Sequence, residues 1–185
     1  MLDRVRRRIV IVGSLSHYGA RFDFDDPHFR THPWNRTAAY NRSKLADLWW
    51  GLELSRRLRA AGSPVDVQLA HPGWADTALG NPARSRFGSA ALGPVAARLA
   101  NPPALAALEV MYAATQPLPP CSYVGPDGPG ELRGYPTLVG RWGPASDARL
   151  ARRFWSWRSG RRGSGAPDPT CSRCPRRERR SSRER

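Results

Sequence analysis

Apolar positions along the chain follow two different spacings. Ile9 to Val12 is an unbroken apolar run, which is typical of a strand buried on both faces of a parallel sheet. From Ala38 to Ala61 the leucines recur at helical spacing, and Gly62-Ser63-Pro64 follows as a stop signal. Val65 to Ala70 is a second apolar run. The pattern therefore predicts a strand, a long helix and another strand, in that order.

The apolar pattern in the second half of the chain predicts shorter elements. Leu92 to Leu99 and Ala104 to Thr115 favour helices, Ser122 to Val124 a strand, and Asp147 to Trp155 a final helix capped near Ser146. Strands that alternate with helices indicate an α/β fold. About 150 residues are too few for the roughly six strands of a complete doubly wound sheet. We therefore predict a partial, Rossmann-like doubly wound parallel sheet with flanking helices.

Two of these strands end in residues suited to ligand binding. Ser14 follows the first strand, and Pro72-Gly73 follows the second. In open parallel sheets, ligands sit outside the carboxyl ends of the strands. The serine and the Pro-Gly turn are therefore expected at one edge of the sheet.

Tyr40 and Lys44 form the pair with the clearest chemical meaning, and Lys44 is the only lysine among 30 basic residues. Side chains at i and i+4 share a helix face. A neighbouring cation favours phenolate and lowers a tyrosine pKa from its reference near ~10. A phenol tuned in this way serves as a general acid or base. The same pair is also compatible with two ordinary surface residues of an amphipathic helix, but Ser14 upstream favours the chemical interpretation.

With these residues the chain resembles the short-chain dehydrogenase/reductase family, most closely its retinol-dehydrogenase-like branch. The similarity runs in the family's order over roughly positions 8 to 155. The matching stretches are Arg8 to His17, Phe22 to Asp26, Tyr40 to Ala46, Ala70 to Thr77 and Gly128 to Tyr135.

The resemblance implies roles for particular residues. Ser14 would polarise the substrate carbonyl or alcohol, Tyr40 would exchange the proton, and Lys44 would lower the tyrosine pKa and hold the nicotinamide ribose. The small-molecule substrate would be a carbonyl compound or an alcohol, and the cofactor NADP or NAD, with NADP favoured. The cofactor-binding residues implied by the resemblance are Tyr40, Lys44, Pro72, Gly73, Ala75 and Thr77.

The sequence departs from the family pattern at its start. No glycine-rich turn follows an apolar strand, although such a turn brings backbone N–H groups and a helix N-terminus to the pyrophosphate. The family's Asn-Asn-Ala-Gly segment is also missing. We therefore expect residues 1–155 to be the catalytic half of a truncated oxidoreductase, inactive as given.

The end of the chain has a different composition. Positions 152 to 185 hold twelve arginines against Asp168, Glu178 and Glu184, or +9 of the formal net charge of +15. The segment from 156 has no aliphatic residue larger than alanine, so we predict a disordered tail over 156–185. Two alternatives stay open for the whole chain: a non-enzymatic basic protein that binds nucleic acid nonspecifically through this tail, or a degenerate fragment without function.

Cysteine and hydropathy patterns add little. Cys171 and Cys174 have metal-like spacing, but a closed zinc site takes four ligands and no second pair lies nearby, so no metal is predicted. Neither a signal peptide nor a run of ~20 apolar residues is visible. The expected location is the cytoplasm.

Overall fold

The computed structural model describes residues 5–74 and 100–162. Its strands are β1 (Arg8–Val12), β2 (Asp66–Ala70), β3 (Tyr123–Pro126) and β4 (Pro136–Leu138). Its α-helices are α1 (Arg36–Ala60), α2 (Pro103–Ala106), α3 (Leu108–Thr115) and α4 (Ala148–Arg162). Three short 3-10 turns lie at Leu15–His17, Pro129–Glu131 and Gly143–Ser146.

The four strands form one sheet in the order β1-β2-β3-β4. β1, β2 and β3 are parallel, with Ile11 opposite Leu69 and Leu69 opposite Tyr123. β4 pairs antiparallel with β3 and is the one strand of this sheet that the hydrophobic pattern did not predict. The predicted α/β class, a partial Rossmann-like sheet with flanking helices, is confirmed.

Successive residues of each strand face opposite layers, because side chains alternate along a strand. Ile11, Leu69 and Tyr123 pack into a core that contains Leu45 and Leu48 of α1. Their neighbours in the strands pack into a second cluster with α3 on the other face of the sheet. That cluster contains Val10, Ala70, Val110, Ala113 and Val124. Helices therefore cover both faces of the sheet, which explains the unbroken apolar run in β1.

Helix α1 lies unusually close to the sheet. Asn35 caps its start by accepting the N–H of Ala38 on Oδ1 at 2.9 Å. Further along, a Cβ at Gly51 would lie 2.6 Å from Leu69 Cδ2 and 2.7 Å from Ile11 Cδ1. A larger residue at this point would have to push these two side-chain ends aside.

Two helices differ from the sequence prediction. The element predicted over Ala104 to Thr115 is divided into α2 and α3 at Ala107. α4 continues to Arg162, seven residues past the boundary predicted at 155. It continues because Phe154 and Trp157 lie three apart on one face and pack their rings 5.3 and 5.6 Å from Phe22. The predictions for 92–99 and for 163–185 lie outside the described residues.

The long connection from β1 to α1 folds around Asp26, which is 4% exposed. Its carboxylate accepts the N–H groups of Arg30 at 2.6 Å and Thr31 at 3.0 Å, and it contacts His32 Nδ1 at 3.0 Å. Burial alone raises the pKa of Asp26, but these donors outweigh it and hold the pKa well below its usual range. The ionised carboxylate is therefore part of the folded structure.

Acid should destabilise the domain through this residue. A carboxyl whose folded pKa is depressed contributes stability that is present above the unfolded pKa of about 3.9 and is lost as the pH falls below it. Asp26→Asn should lower the melting temperature at neutral pH and flatten its decline below pH ~4. Thermal melts from pH 7 to pH 3 measure both effects, with the exposed Asp25→Asn as control. Parallel curves for Asp26→Asn and the wild type would contradict this account.

Candidate functional site

The carboxyl ends of β1 and β2 are tied together. Gly13 N–H donates to the Ala70 carbonyl oxygen at 2.7 Å. Ser14 follows directly on the first strand, and His71, Pro72 and Gly73 follow on the second. The two polar segments therefore emerge side by side at one edge of the sheet, as the strand pattern predicts.

Helix α1 brings the only lysine to this edge. Lys44 Nζ donates to the Val12 carbonyl oxygen at 3.0 Å and pairs with Asp47 Oδ2 at 3.1 Å. The same ammonium lies 5.9 Å from the centroid of the Tyr40 ring. Because Val12 is the last residue of β1, Lys44 and Tyr40 lie at the end of the strand that leads into Ser14.

Ser14 caps the short turn that follows β1. Its Oγ accepts the N–H of Ser16 at 3.2 Å, and its carbonyl oxygen lies 2.6 Å from His17 Nδ1. Accepting one hydrogen bond leaves the hydroxyl's own hydrogen as a donor.

The Pro-Gly turn is fixed by hydrogen bonds from three directions. Gly73 has φ +68°, and its N–H donates to His71 Nδ1 at 3.2 Å. Trp74 N–H donates to the Leu132 carbonyl oxygen at 2.8 Å, and Asn101 Nδ2 donates to the Pro72 carbonyl oxygen at 3.1 Å. The turn is therefore rigid. Ala75 and Thr77, the other predicted cofactor-binding residues of this segment, lie outside the described residues.

His17 and His71 are fully buried behind the edge. His71 Nδ1 accepts the N–H of Gly73, so its Nε2 carries the proton and donates to Glu131 Oε2 at 3.1 Å. His17 Nδ1 donates to the Ser14 carbonyl oxygen, while its Nε2 accepts the N–H of Trp142 at 3.3 Å.

Burial, helped by the neighbouring His17, lowers the pKa of His71 to about 4. Burial also lowers the pKa of His17. Both imidazoles are therefore neutral at physiological pH, and they hold neighbouring backbone groups in place through hydrogen bonds.

The hydrogen bonds behind the edge were not predicted from the sequence. Glu131 reaches this edge from the turn after β3, and burial raises the pKa of its carboxyl. Tyr123 Oη is buried and has no hydrogen-bond partner among the described residues. Burial, with Glu131 and Tyr18 nearby, raises the pKa of Tyr123 well above its ordinary value. One sequence signal was available: His71 directly follows β2, at the carboxyl edge of the sheet where polar side chains converge.

In residues 5–74 and 100–162, no three His, Cys, Asp or Glu side chains are grouped as a metal site requires. Across the same ranges, no helix has the length and apolar character needed to cross a bilayer. Cys171 and Cys174 lie outside these ranges.

Comparison with known proteins points to dehydrogenases. The chain is 37% identical to retinol dehydrogenase 13 of Homo sapiens over 164 residues, covering 84% of this chain and 47% of that protein. It is 46% identical to polyprenol dehydrogenase of Mus musculus over 72 residues, covering 39% of this chain and 21% of that protein. No protein-family model matches.

The fold is similar to that of a solved structure. An uncharacterized protein from Mycobacterium paratuberculosis superposes with a TM-score of 0.67 at 34% identity, over 86% of this chain and 52% of that one. The chain therefore spans about half the length of the human protein and of the solved chain that it matches.

A side chain at Gly73 should disrupt the Pro-Gly turn. Gly73→Ala puts a Cβ onto the Leu132 carbonyl oxygen and forces alanine into the left-handed region, which costs about 1–3 kcal/mol by itself. We expect the free energy of unfolding to fall by at least that amount in urea denaturation. Gly140→Ala is the matched control, because a Cβ there has no neighbour within 4 Å. Equal losses in the two variants would show that the turn is not constrained.

Proposed function

The chain belongs to the short-chain dehydrogenase/reductase family, in its retinol-dehydrogenase-like branch, and from this premise we propose that Ser14, Tyr40 and Lys44 form its catalytic site. The reaction would be hydride transfer between NAD(P) and a carbonyl compound or alcohol. The observation that carries the proposal is the contact of Lys44 Nζ with the Val12 carbonyl oxygen, with the Tyr40 ring 5.9 Å away.

Each residue has a task that its contacts allow. The Ser14 hydroxyl donates to the substrate oxygen, where negative charge develops when a carbonyl is reduced. The Tyr40 hydroxyl supplies the proton to that oxygen, and takes it back in the reverse direction. The Lys44 ammonium lies 5.9 Å from the centroid of the Tyr40 ring, so its positive charge is next to the group that transfers the proton.

The edge also fits the nicotinamide end of a dinucleotide. An ammonium has three donors, and two of those on Lys44 are directed to Val12 and Asp47, which leaves one for a ribose hydroxyl. The Pro72-Gly73 turn is a rigid backbone wall against which a carboxamide would pack. When bound, the cofactor supplies or accepts the hydride. NADP is preferred to NAD on family resemblance alone.

The 185-residue chain should turn over very little by itself. Its sequence contains no glycine-rich turn after an apolar strand, so the pyrophosphate has no cradle and the hydride donor is not positioned. We expect no steady NADPH consumption with a panel of aldehydes and ketones, measured by NADPH absorbance with purified protein. Sustained turnover that is lost in Tyr40→Phe would contradict this prediction and would support the site.

The site itself is tested by restoring the missing binding groups. A fusion that places a glycine-rich cofactor-binding half of the kind this family has ahead of residue 5 should gain NAD(P)-dependent activity. In that fusion Tyr40→Phe should lower kcat by roughly 10²–10⁴-fold, because the positioned proton donor is lost. Lys44→Ala should also lower kcat severely.

Tyr135→Phe is the matched control, since that tyrosine is 68% exposed. Its rate should equal that of the unmodified fusion. If the fusion is active and Tyr40→Phe leaves kcat unchanged, Tyr40 is not the proton donor and the proposal fails.

A further inference from the structure

Glu131 lies in a backbone conformation that residues with a side chain rarely adopt. Its φ is +56°, in the left-handed region. A non-glycine residue is strained there, and such strain persists where the surrounding structure requires it. Glycine adopts the same conformation without strain, because it has no Cβ. We therefore expect the glutamate side chain to make a contact that glycine could not make.

That contact is with His71. Glu131 Oε2 accepts the Nε2–H of His71 at 3.1 Å. The imidazole is fully buried, and the glutamate side chain is 27% exposed. A Cβ at Gly125 would collide with His71 Nε2, so the sheet backbone closes on the ring beside this hydrogen bond. The imidazole therefore has little room to move away from the Glu131 carboxyl.

His71 carries the effect of Glu131 to the Pro-Gly turn. Its Nδ1 accepts the N–H of Gly73 at 3.2 Å, which requires that Nδ1 carry no proton. A neutral imidazole has one N–H donor and one acceptor nitrogen. An acceptor placed at Nε2 stabilises the tautomer whose proton is on Nε2, and this tautomer leaves Nδ1 free to accept. Glu131 therefore favours the form of His71 that binds the Gly73 N–H.

The segment that carries Glu131 contacts the same turn a second time. The Leu132 carbonyl oxygen accepts the N–H of Trp74 at 2.8 Å. Glu131 N–H itself donates to the Gly128 carbonyl oxygen at 2.9 Å, which closes the 3-10 turn Pro129–Glu131. Two adjacent residues thus hold the Pro-Gly turn, Glu131 through its side chain and Leu132 through its backbone.

We propose that Glu131 is a positioning residue for the Pro72-Gly73 turn, because it holds His71 in the tautomer that accepts the Gly73 N–H. The role toward a cofactor rests on the proposed function, in which the nicotinamide carboxamide packs against this turn. Glu131 acts through His71 and makes no contact with substrate or cofactor in this scheme.

Two substitutions separate the acceptor from the strained backbone, since both keep a side chain at this position. Glu131→Gln retains an oxygen that can accept from Nε2, whereas Glu131→Met is of similar length and has none. Nitrogen-15 NMR of the 185-residue chain reports the His71 tautomer, and hydrogen exchange reports the protection of the Gly73 amide.

We expect the wild type and Glu131→Gln to carry the His71 proton on Nε2. Glu131→Met should shift the tautomer toward Nδ1–H, and its Gly73 amide should exchange roughly tenfold faster, because one hydrogen bond is lost. The Gly13 amide, which donates to the Ala70 carbonyl oxygen, is the internal control. Its exchange should be the same in all three proteins, whereas a general loss of stability would accelerate both amides.

Glu131→Gly decides the case if Glu131→Met does not fold. It removes the acceptor and also relieves the strained backbone, so faster exchange at Gly73 would then come from the lost side-chain contact. An unchanged His71 tautomer in the variants without an acceptor, or equal acceleration of Gly73 and Gly13, would overturn the proposal.

The role toward the cofactor is measured in the fusion that carries a glycine-rich half. There Glu131→Met should raise the KM for NADPH more than it lowers kcat, because the turn is loosened while Tyr40 stays in place, and Glu131→Gln should restore the KM. An active fusion whose KM for NADPH does not respond to Glu131→Met would overturn this role. An inactive fusion with the expected NMR result would count against the proposed catalytic site and would leave the action of Glu131 on the turn supported.

Discussion

The close approach of α1 to the sheet at Gly51 is the constraint on which the rest of the structure depends. Because a Cβ there would meet the side-chain ends of Ile11 and Leu69, the helix backbone rests directly on these two side chains of β1 and β2. This contact places the Gly51 side of the helix against the sheet. Lys44 lies seven residues earlier and Tyr40 eleven, and both multiples of 100° return to within about 20° of the Gly51 direction. The helix face that touches the sheet at Gly51 therefore also carries Lys44 and Tyr40, which lie about two and three turns earlier, near the strand ends.

Arginine and aromatic side chains stabilise the outer helix where aliphatic residues are missing. α4 has one leucine, Leu150, yet it packs along α1 through Phe154 and Trp157. Arginine guanidinium groups cover the rings from outside: Arg57 lies 4.8 Å from the centroid of Trp155, and Arg158 lies 5.5 Å from that of Trp50. Planar, weakly hydrated guanidinium groups stack on aromatic faces at little desolvation cost. The high arginine content of this region is therefore compatible with an ordered helix up to Arg162.

The sequence could predict whatever depends on local spacing. The apolar runs of β1 and β2 and the leucines of α1 identified the sheet and its long helix, and the strand ends indicated the edge where Ser14 and the Pro-Gly turn meet. The sequence could not predict features that depend on distant partners. β4 is only three residues long and forms because β3 offers an open edge. The tautomers of His17 and His71 depend on Trp142 and Glu131, which are 125 and 60 residues away.

The excursion between Ser14 and Tyr40 is also set by such a distant partner. At its start, His17 joins the Ser14 carbonyl to the backbone of Trp142. At its centre, the Asp26 carboxylate accepts the N–H groups of Arg30 and Thr31. Arg42 of α1 donates to the backbone carbonyl oxygen of Asp26. The long connection is therefore attached at its start and at its centre. The serine turn is thus held through the backbone of Trp142, and the centre of the connection is organised by a buried carboxylate that takes no part in the chemistry proposed at the edge.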